Sequence, residues 1–470
     1  MSSESHEPGF ADTANLSYRL AAHGMSFDAR ALAPQTLHAA KRVVLDGIGV
    51  MLAASGASAD VLPFRELALA QSGAPQASVL GFGDRLSVAQ AALVNGAMAH
   101  ALDYEDAFDP VPLHPNASLL PAALACAEAF GCTGREFLAA VVLGCDLVCR
   151  MGLALRAPME RLGWYPPPIL GAFGATLAAA RVMRLSPRQL CDAWSLLLCQ
   201  NSCAGEIKFS PDSTLRAVRE AFPAHAAVSC VQLAARGVRG FDAPLEGRAG
   251  FYQLFAGGAY DADVLLEHPG ETFWIEQLSF KRWPACRGTH AYIEAALLLR
   301  SRAGVDASLI ESFVCVGGQA QQMLSEPKAS KQAPHTLIDA KFSLPFTVAL
   351  ALVHGEISLN SVTARTLADP AVLALAARGN FHFEPEARWN EATRGKLLLR
   401  LRSGETLTHE VYAPLGDPQR PLSDEALCGK FIECAAHAAR PFSCERARRL
   451  IARIFALENE PEIASLFHEP

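Results

Sequence analysis

Charge is the first scarcity in this sequence. Only 19% of its 470 residues are Asp, Glu, Lys or Arg, against 51% hydrophobic residues, and the formal net charge is -7. A chain this poor in basic residues lacks the electrostatic footprint of a nucleic-acid or anionic-membrane partner. It also has no room for long disordered arms. An anionic ligand therefore needs cations placed locally. Phosphate-loop and dinucleotide fingerprints are missing, as is a G-x-S-x-G elbow, so none of those chemistries has a motif to stand on. The thirteen cysteines include no C-x-x-C pair, and their odd number argues against a complete disulfide framework. They read as reduced thiols filling helical core. The N-terminal MSSESHEPGFADTAN has neither a basic n-region nor an apolar h-region, and VVLDGIGVMLAAS is interrupted by Asp46 and too short to span a bilayer. The expectation is a cytoplasmic protein with no membrane partner. Internal repeats and Gly/Ser linkers are absent too.

What is present is mostly helix. The length calls for two domains. Through about residue 270, helix signals recur with caps: Thr133 and Glu136 before FLAAVVLGCDLV, and Ser186, Pro187 and Gln189 before LCDAWSLLLC. Gly131, Gly237 and Gly240 fall where helices should end. GAFGATLAAARVM carries small residues at close spacing, which predicts tight helix packing. From about 275 the texture becomes α+β. SFVCVGG reads as a strand, KLLLRLRSGETLTHEVY as a hairpin turning at Ser403 and Gly404, and a helix between them is capped by Asp369 and Pro370 and closed by Gly379. Amphipathic helices capped by Ser423 and Ser443 end the chain and return to the first domain.

The segment from His100 to Pro121, HALDYEDAFDPVPLHPNASLLP, concentrates two histidines and a run of carboxylates in an apolar neighbourhood. Asp103, Glu105, Asp106 and Asp109 cannot all be buried unpaired, and the prolines stop a helix there. Such a segment is a surface or a site. GWYPPPILGAFGA adds a rigid aromatic loop with Tyr165. STLRAVREAFPAH places Arg216, Arg219 and His225 around a helix start, where guanidinium forks suit carboxylates. KRWPACRGTH gathers Lys281, Arg282, Arg287 and His290 at the apparent domain boundary, a usual place for a cleft. Bland readings stand beside these. His100 is a helix residue satisfied by a neighbour, Tyr165 a packed aromatic, Arg219 the partner of a surface carboxylate, and Cys286 a structural thiol despite the cations around it. His100, Asp103, Asp106 and His114 include metal-ligand types, but their spacing matches none of the strong metal signatures.

Taken in order, HALDYEDAF, LHPNASLLPAALACAEA, GAFGATLAAARVMRLS, LAARGVRGFDAPLEGRAGF, FKRWPACRGTH and APHTLIDAKFSLPFTVALALVHG resemble the MmgE/PrpD family, from about residue 15 to about 460. Members of that family include a dehydratase, a decarboxylase and an epimerase of small carboxylic acids. The resemblance implies a mainly α fold: a large all-helical domain of residues 1–272 plus 416–470, with a smaller α+β lid, 273–415, inserted before the C-terminal helices. It also implies a homodimer and a site between domain and lid that uses neither metal nor organic cofactor. The family's H-x-x-D-[FY]-x-D aspartate falls on Asp103. Its H-P-[ST] histidine falls on His114, followed here by Asn116, and its Y-P-x-C-x-x-x-H histidine falls on His290, with Trp283 in the aromatic position.

Two positions depart. Tyr165 stands where the family's G-[FW]-H has histidine, and Arg216 and Arg219 stand where K-x-x-H is usual. Arg216 still grips a carboxylate but cannot give up a proton as lysine does, and a tyrosine is a poor base beside the histidine it replaces. His114 and His290 are thus the expected proton carriers, with Asp103 orienting one of them. Arg216, Lys281, Arg287 and His100 hold substrate, and Tyr165 assists the leaving group or oxyanion. The expected activity is a cofactor-independent lyase, dehydrating or decarboxylating a small anionic di- or tricarboxylate. The alternatives are an isomerase inverting a carbon next to a carboxylate, and a non-catalytic member that keeps a ligand-binding role.

Overall fold

The computed structural model describes residues 15–71, 73–385 and 393–467, so all but Asn15 of the polar N-terminal stretch lies outside the described residues. The fold is mainly α with two small sheets. Helices begin where local chemistry dictates. Ser186 accepts from the Gln189 amide, and the Gln189 side chain returns the bond, ahead of Pro187–Leu197. Ser423 and Ser443 cap Asp424–Ala436 and Cys444–Phe455. Thr133 forms only half of its box: it accepts the Glu136 amide, while the Glu136 carboxylate turns to Arg181 at 3.0 Å.

Val88–His100, Pro115–Phe130, Gly134–Leu153, Pro166–Val182 and Ala221–Ala235 pack together as the helical core. Small residues set their spacing. A Cβ on Gly144 would lie 2.7 Å from the Gly174 carbonyl, so Gly134–Leu153 and Pro166–Val182 approach at backbone distance. Likewise a Cβ on Gly96 would lie 2.7 Å from the Glu220 carbonyl. That close approach seats the start of Ala221–Ala235 against Val88–His100 and brings Arg219 to His100.

The second module is a four-stranded sheet ordered Gly379–Phe383, Ile310–Gly317, Gly395–Leu401, Thr406–Val411. It packs on the helix His290–Ala303, where the Tyr292 hydroxyl donates to the Val316 carbonyl at 2.9 Å. The hairpin turns at Gly404, φ +90°. One reading needs correction. Gly379 does not close the helix Pro370–Ala376 but opens a strand parallel to Ile310–Gly317, opposite Phe313. Its short, mostly exposed GNFHF run lacks the alternation that marks a half-buried strand.

Asp424–Ala436 packs on the long helix Pro34–Ala57, with Phe431 3.0 Å from where a Gly49 Cβ would be. Its Lys430 pairs with buried Asp46 at 2.7 Å and donates to the carbonyls of Tyr104 (2.7 Å) and Lys281 (3.0 Å). All thirteen cysteines are free. No single helix among the described residues is long and apolar enough to cross a membrane.

Candidate active site

The helix Val88–His100 ends in a turn that places Asp103 at φ +50°, a region non-glycine residues occupy only when their surroundings hold them. The Asp103 amide donates to the His100 carbonyl at 2.8 Å, and its carboxylate is ion-paired to Lys281 Nζ, which also donates to the Asp103 carbonyl at 3.1 Å. Both side chains are fully buried. Burial alone would raise the Asp103 carboxyl, yet Lys281 and then His100 hold it below its ordinary value. Burial would lower Lys281, yet Asp103 and Glu105 hold it above. Lys281, expected to hold substrate, is instead the counter-ion of Asp103. Asp103, expected to orient a histidine, has its charge taken up by this ammonium.

Glu105 does the orienting. One of its oxygens, Oε1, accepts from His100 Nδ1 and lies 3.0 Å from His114 Nδ1. The His114 Nδ1 also donates to the Asp106 carbonyl at 3.0 Å, and the two imidazoles sit 5.2 Å apart. Arg219 Nη1 donates to His100 Nε2, and this contact fixes the His100 tautomer. The chain of contacts runs Arg219, His100, Glu105, His114. It leaves Nε2 as the acceptor of a neutral His114. Burial, then the Lys281 charge, lowers His114 to about 3, and burial with Arg219 lowers His100 well below its ordinary value.

Arg219 is therefore no surface residue. It is buried, with Glu220 at 3.1 Å and its guanidinium 5.1 Å from the Tyr165 ring. Arg216 lies against Phe342, its guanidinium carbon 3.4 Å from the ring centroid, and its Nε and Nη2 are buried without a hydrogen-bond partner. His225 lies a turn beyond Glu220, half-buried and outside the cavity wall.

A cavity of about 740 Å³ opens beside this network, walled by both modules. His114, Tyr165, Cys286, Arg287 and Phe342 line it. Arg287 is largely committed: it bonds Asp109 at 2.9 and 3.1 Å and Ser279 at 3.1 Å, leaving Nη1 without a partner. Burial pushes Cys286 up to about 11, overriding the cations beside it, so it is a thiol. His290 departs from expectation. It is fully buried and outside the cavity wall, its Nε2 donating to the Ala285 carbonyl at 3.1 Å and its ring edge against Trp283. The turn Cys286–Gly288 supplies the wall in its place. Burial, then Arg287 and Lys281, keeps His290 neutral.

Two residues escaped the sequence reading. Lys341 is buried, donates to the Leu102 carbonyl at 2.7 Å, and is lowered by burial to about 8. Glu220 is raised by burial to about 7. The only sequence signal for either was a charge within an apolar helical stretch.

His100, Asp103, Glu105 and His114 each bring a ligand-type atom within 4.8 Å of the others. Asp106 stands apart, accepting from Asn116 at 2.9 Å. Glu105 bridges the two histidines and Asp103 pairs with Lys281, so these contacts already occupy one oxygen of each carboxylate, while Asp103 Oδ2 and Glu105 Oε2 are buried without a hydrogen-bond partner.

Burial also raises Asp106 to about 7. Its folded value lies above its unfolded one, so its contribution is complete below about pH 4 and is lost as pH rises through about 7. Asp106→Asn is expected to gain stability relative to the parent chain over that window, by at most about 1.4 kcal/mol per pH unit. Urea unfolding at stepped pH reads this out, and parallel stability profiles would refute it.

The chain belongs to the MmgE/PrpD family. The MmgE/PrpD N-terminal domain matches residues 18–262 and the C-terminal domain residues 283–455. The chain is 24% identical to cis-aconitate decarboxylase-like protein oryM of Aspergillus oryzae, over 92% of each chain. It is 24% identical to cis-aconitate decarboxylase of Homo sapiens, over 94% of this chain and 91% of that one. It is 23% identical to the mitochondrial 2-methylcitrate dehydratase of Yarrowia lipolytica, over 57% of this chain and 53% of that one.

Proposed function

We propose that the chain is a lyase that removes water or carbon dioxide from a small di- or tricarboxylate, holding a carbanion next to a carboxylate. The carrying observation is His114: an imidazole on the cavity wall, its Nδ1 tied back to Glu105 and the Asp106 carbonyl, with a buried guanidinium at Arg216, two of its nitrogens unpartnered, lying against the wall residue Phe342. In a dehydration, His114 Nε2 takes the proton next to a carboxylate. Arg216 grips that carboxylate and draws off developing charge, and the departing hydroxide leaves as water with a proton from Tyr165. In a decarboxylation the carbon–carbon bond breaks instead, the electron pair rests beside the remaining carboxylate, and a protonated group returns a proton to carbon. A bound polyanion raises His114 from its resting value, since opposite charge favours the imidazolium. The decarboxylase and dehydratase names of the relatives support this class of reaction.

The test incubates citrate, 2-methylcitrate, cis-aconitate and substituted succinates with the protein in D2O and follows them by NMR. Alkene formation or loss of CO2 supports the lyase. Deuterium exchange without either replaces it with an isomerase, and binding without turnover replaces it with a ligand-binding role. Arg216→Met is expected to raise KM for the accepted carboxylate by roughly 10–100-fold, the cost of a charged hydrogen bond. An unchanged KM removes Arg216 from substrate binding.

A further inference from the structure

The cavity is larger than a small polycarboxylate requires. Allowing each heavy atom no more than the roughly 30 Å³ of a water in the liquid, a tricarboxylate of about 13 heavy atoms fills at most about 390 Å³. The cavity, open on one side to solvent, exceeds this at about 740 Å³. The accessible wall around that space is mostly apolar: Val111, Pro112, Leu155, Pro158 and Met323 contribute to it, over the fully buried Phe108, Met159 and Leu324. The Lys208 and Glu160 side chains on the same wall satisfy each other at 3.1 Å. Phe209, also on the wall, is 63% exposed, an unusual position for a phenylalanine unless something apolar comes to lie against it. A short tricarboxylate would leave this surface facing water.

We propose that the site takes a di- or tricarboxylate carrying an alkyl substituent, of about four to eight carbons, that lies along this wall. The proposal rests on the cavity being the carboxylate site and extends it to the substrate class. Met323, partly exposed on the wall, gives it a side chain that adapts to an unbranched or branched tail.

Isothermal titration of the intact protein with 2-alkylsuccinates from methyl to octyl tests it. Affinity is expected to rise about 4-fold per methylene until the wall is covered. Ala320 lies half-buried on the cavity wall in the short helix Gln319–Gln322, so its replacement threatens folding little. Ala320→Trp fills part of the tail space and is expected to flatten the rise, with Met323→Trp as a second such variant. Affinity independent of chain length in the parent protein overturns the proposal even if short carboxylates are turned over. A rise without turnover of any member upholds it while removing the lyase reading.

Discussion

His114→Gln is expected to lower kcat by roughly 10²–10⁴-fold, the usual worth of a positioned general base. Glutamine fills similar space, and its carboxamide can still donate toward Glu105 and the Asp106 carbonyl, so the network behind it is kept. What disappears is the basic Nε2. The resting imidazole is neutral because burial and Lys281 hold its value near 3, so the parent enzyme needs no deprotonation before substrate arrives. The accompanying kcat/KM profile, which reports the substrate-free protein, should show no loss of His114 function on descending through the ordinary histidine range, unlike that of an exposed histidine. Steady-state kinetics on whichever carboxylate is accepted, with circular dichroism to confirm the fold, measure the effect. A variant retaining a tenth or more of parental kcat removes His114 from proton transfer.

Lys281→Met is expected to destabilise the protein by about 3–5 kcal/mol, the typical result of stripping one partner from a buried ion pair. Asp103 then keeps a fully buried carboxylate in a left-handed turn, near Glu105 and without its paired ammonium. The loss should fall when the stranded charge is removed as well. In Asp103→Asn/Lys281→Met the cost is expected to be less than the sum of the single changes, and a double-mutant cycle from urea unfolding gives the coupling. Additive single effects would mean that the pair is not coupled.

Local chemistry made the helices legible. Ser186 with Gln189, Ser423 and Ser443 cap their helices from within a few residues, and the resemblance carried the mainly α class. The strand Gly379–Phe383 was hidden because its existence depends on a parallel partner more than sixty residues away. The same distinction runs through the site. His100, Asp103, His114 and Lys281 were found as residue types in two suspicious segments, and His114, Tyr165 and Arg287 do line the cavity. Which partner each chose was not local information. Lys281 turned to Asp103 rather than to the cavity, Glu105 took the two imidazoles, and His290 sank beneath the turn Cys286–Gly288. Arg219 looked like a surface cation because nothing near it in sequence says that Gly96 admits its backbone so close to the helix bearing His100.

The ammonium of Lys430 touches the backbone on both sides of the Asp103–Lys281 pair, at Tyr104 and at Lys281 itself. During synthesis, the ribosome must therefore deliver the penultimate long helix before these two peptide carbonyls acquire their shared donor. Nascent chains stalled upstream of Asp424 should already protect the early helices from protease while the His100–His114 turn stays susceptible, so this turn matures last.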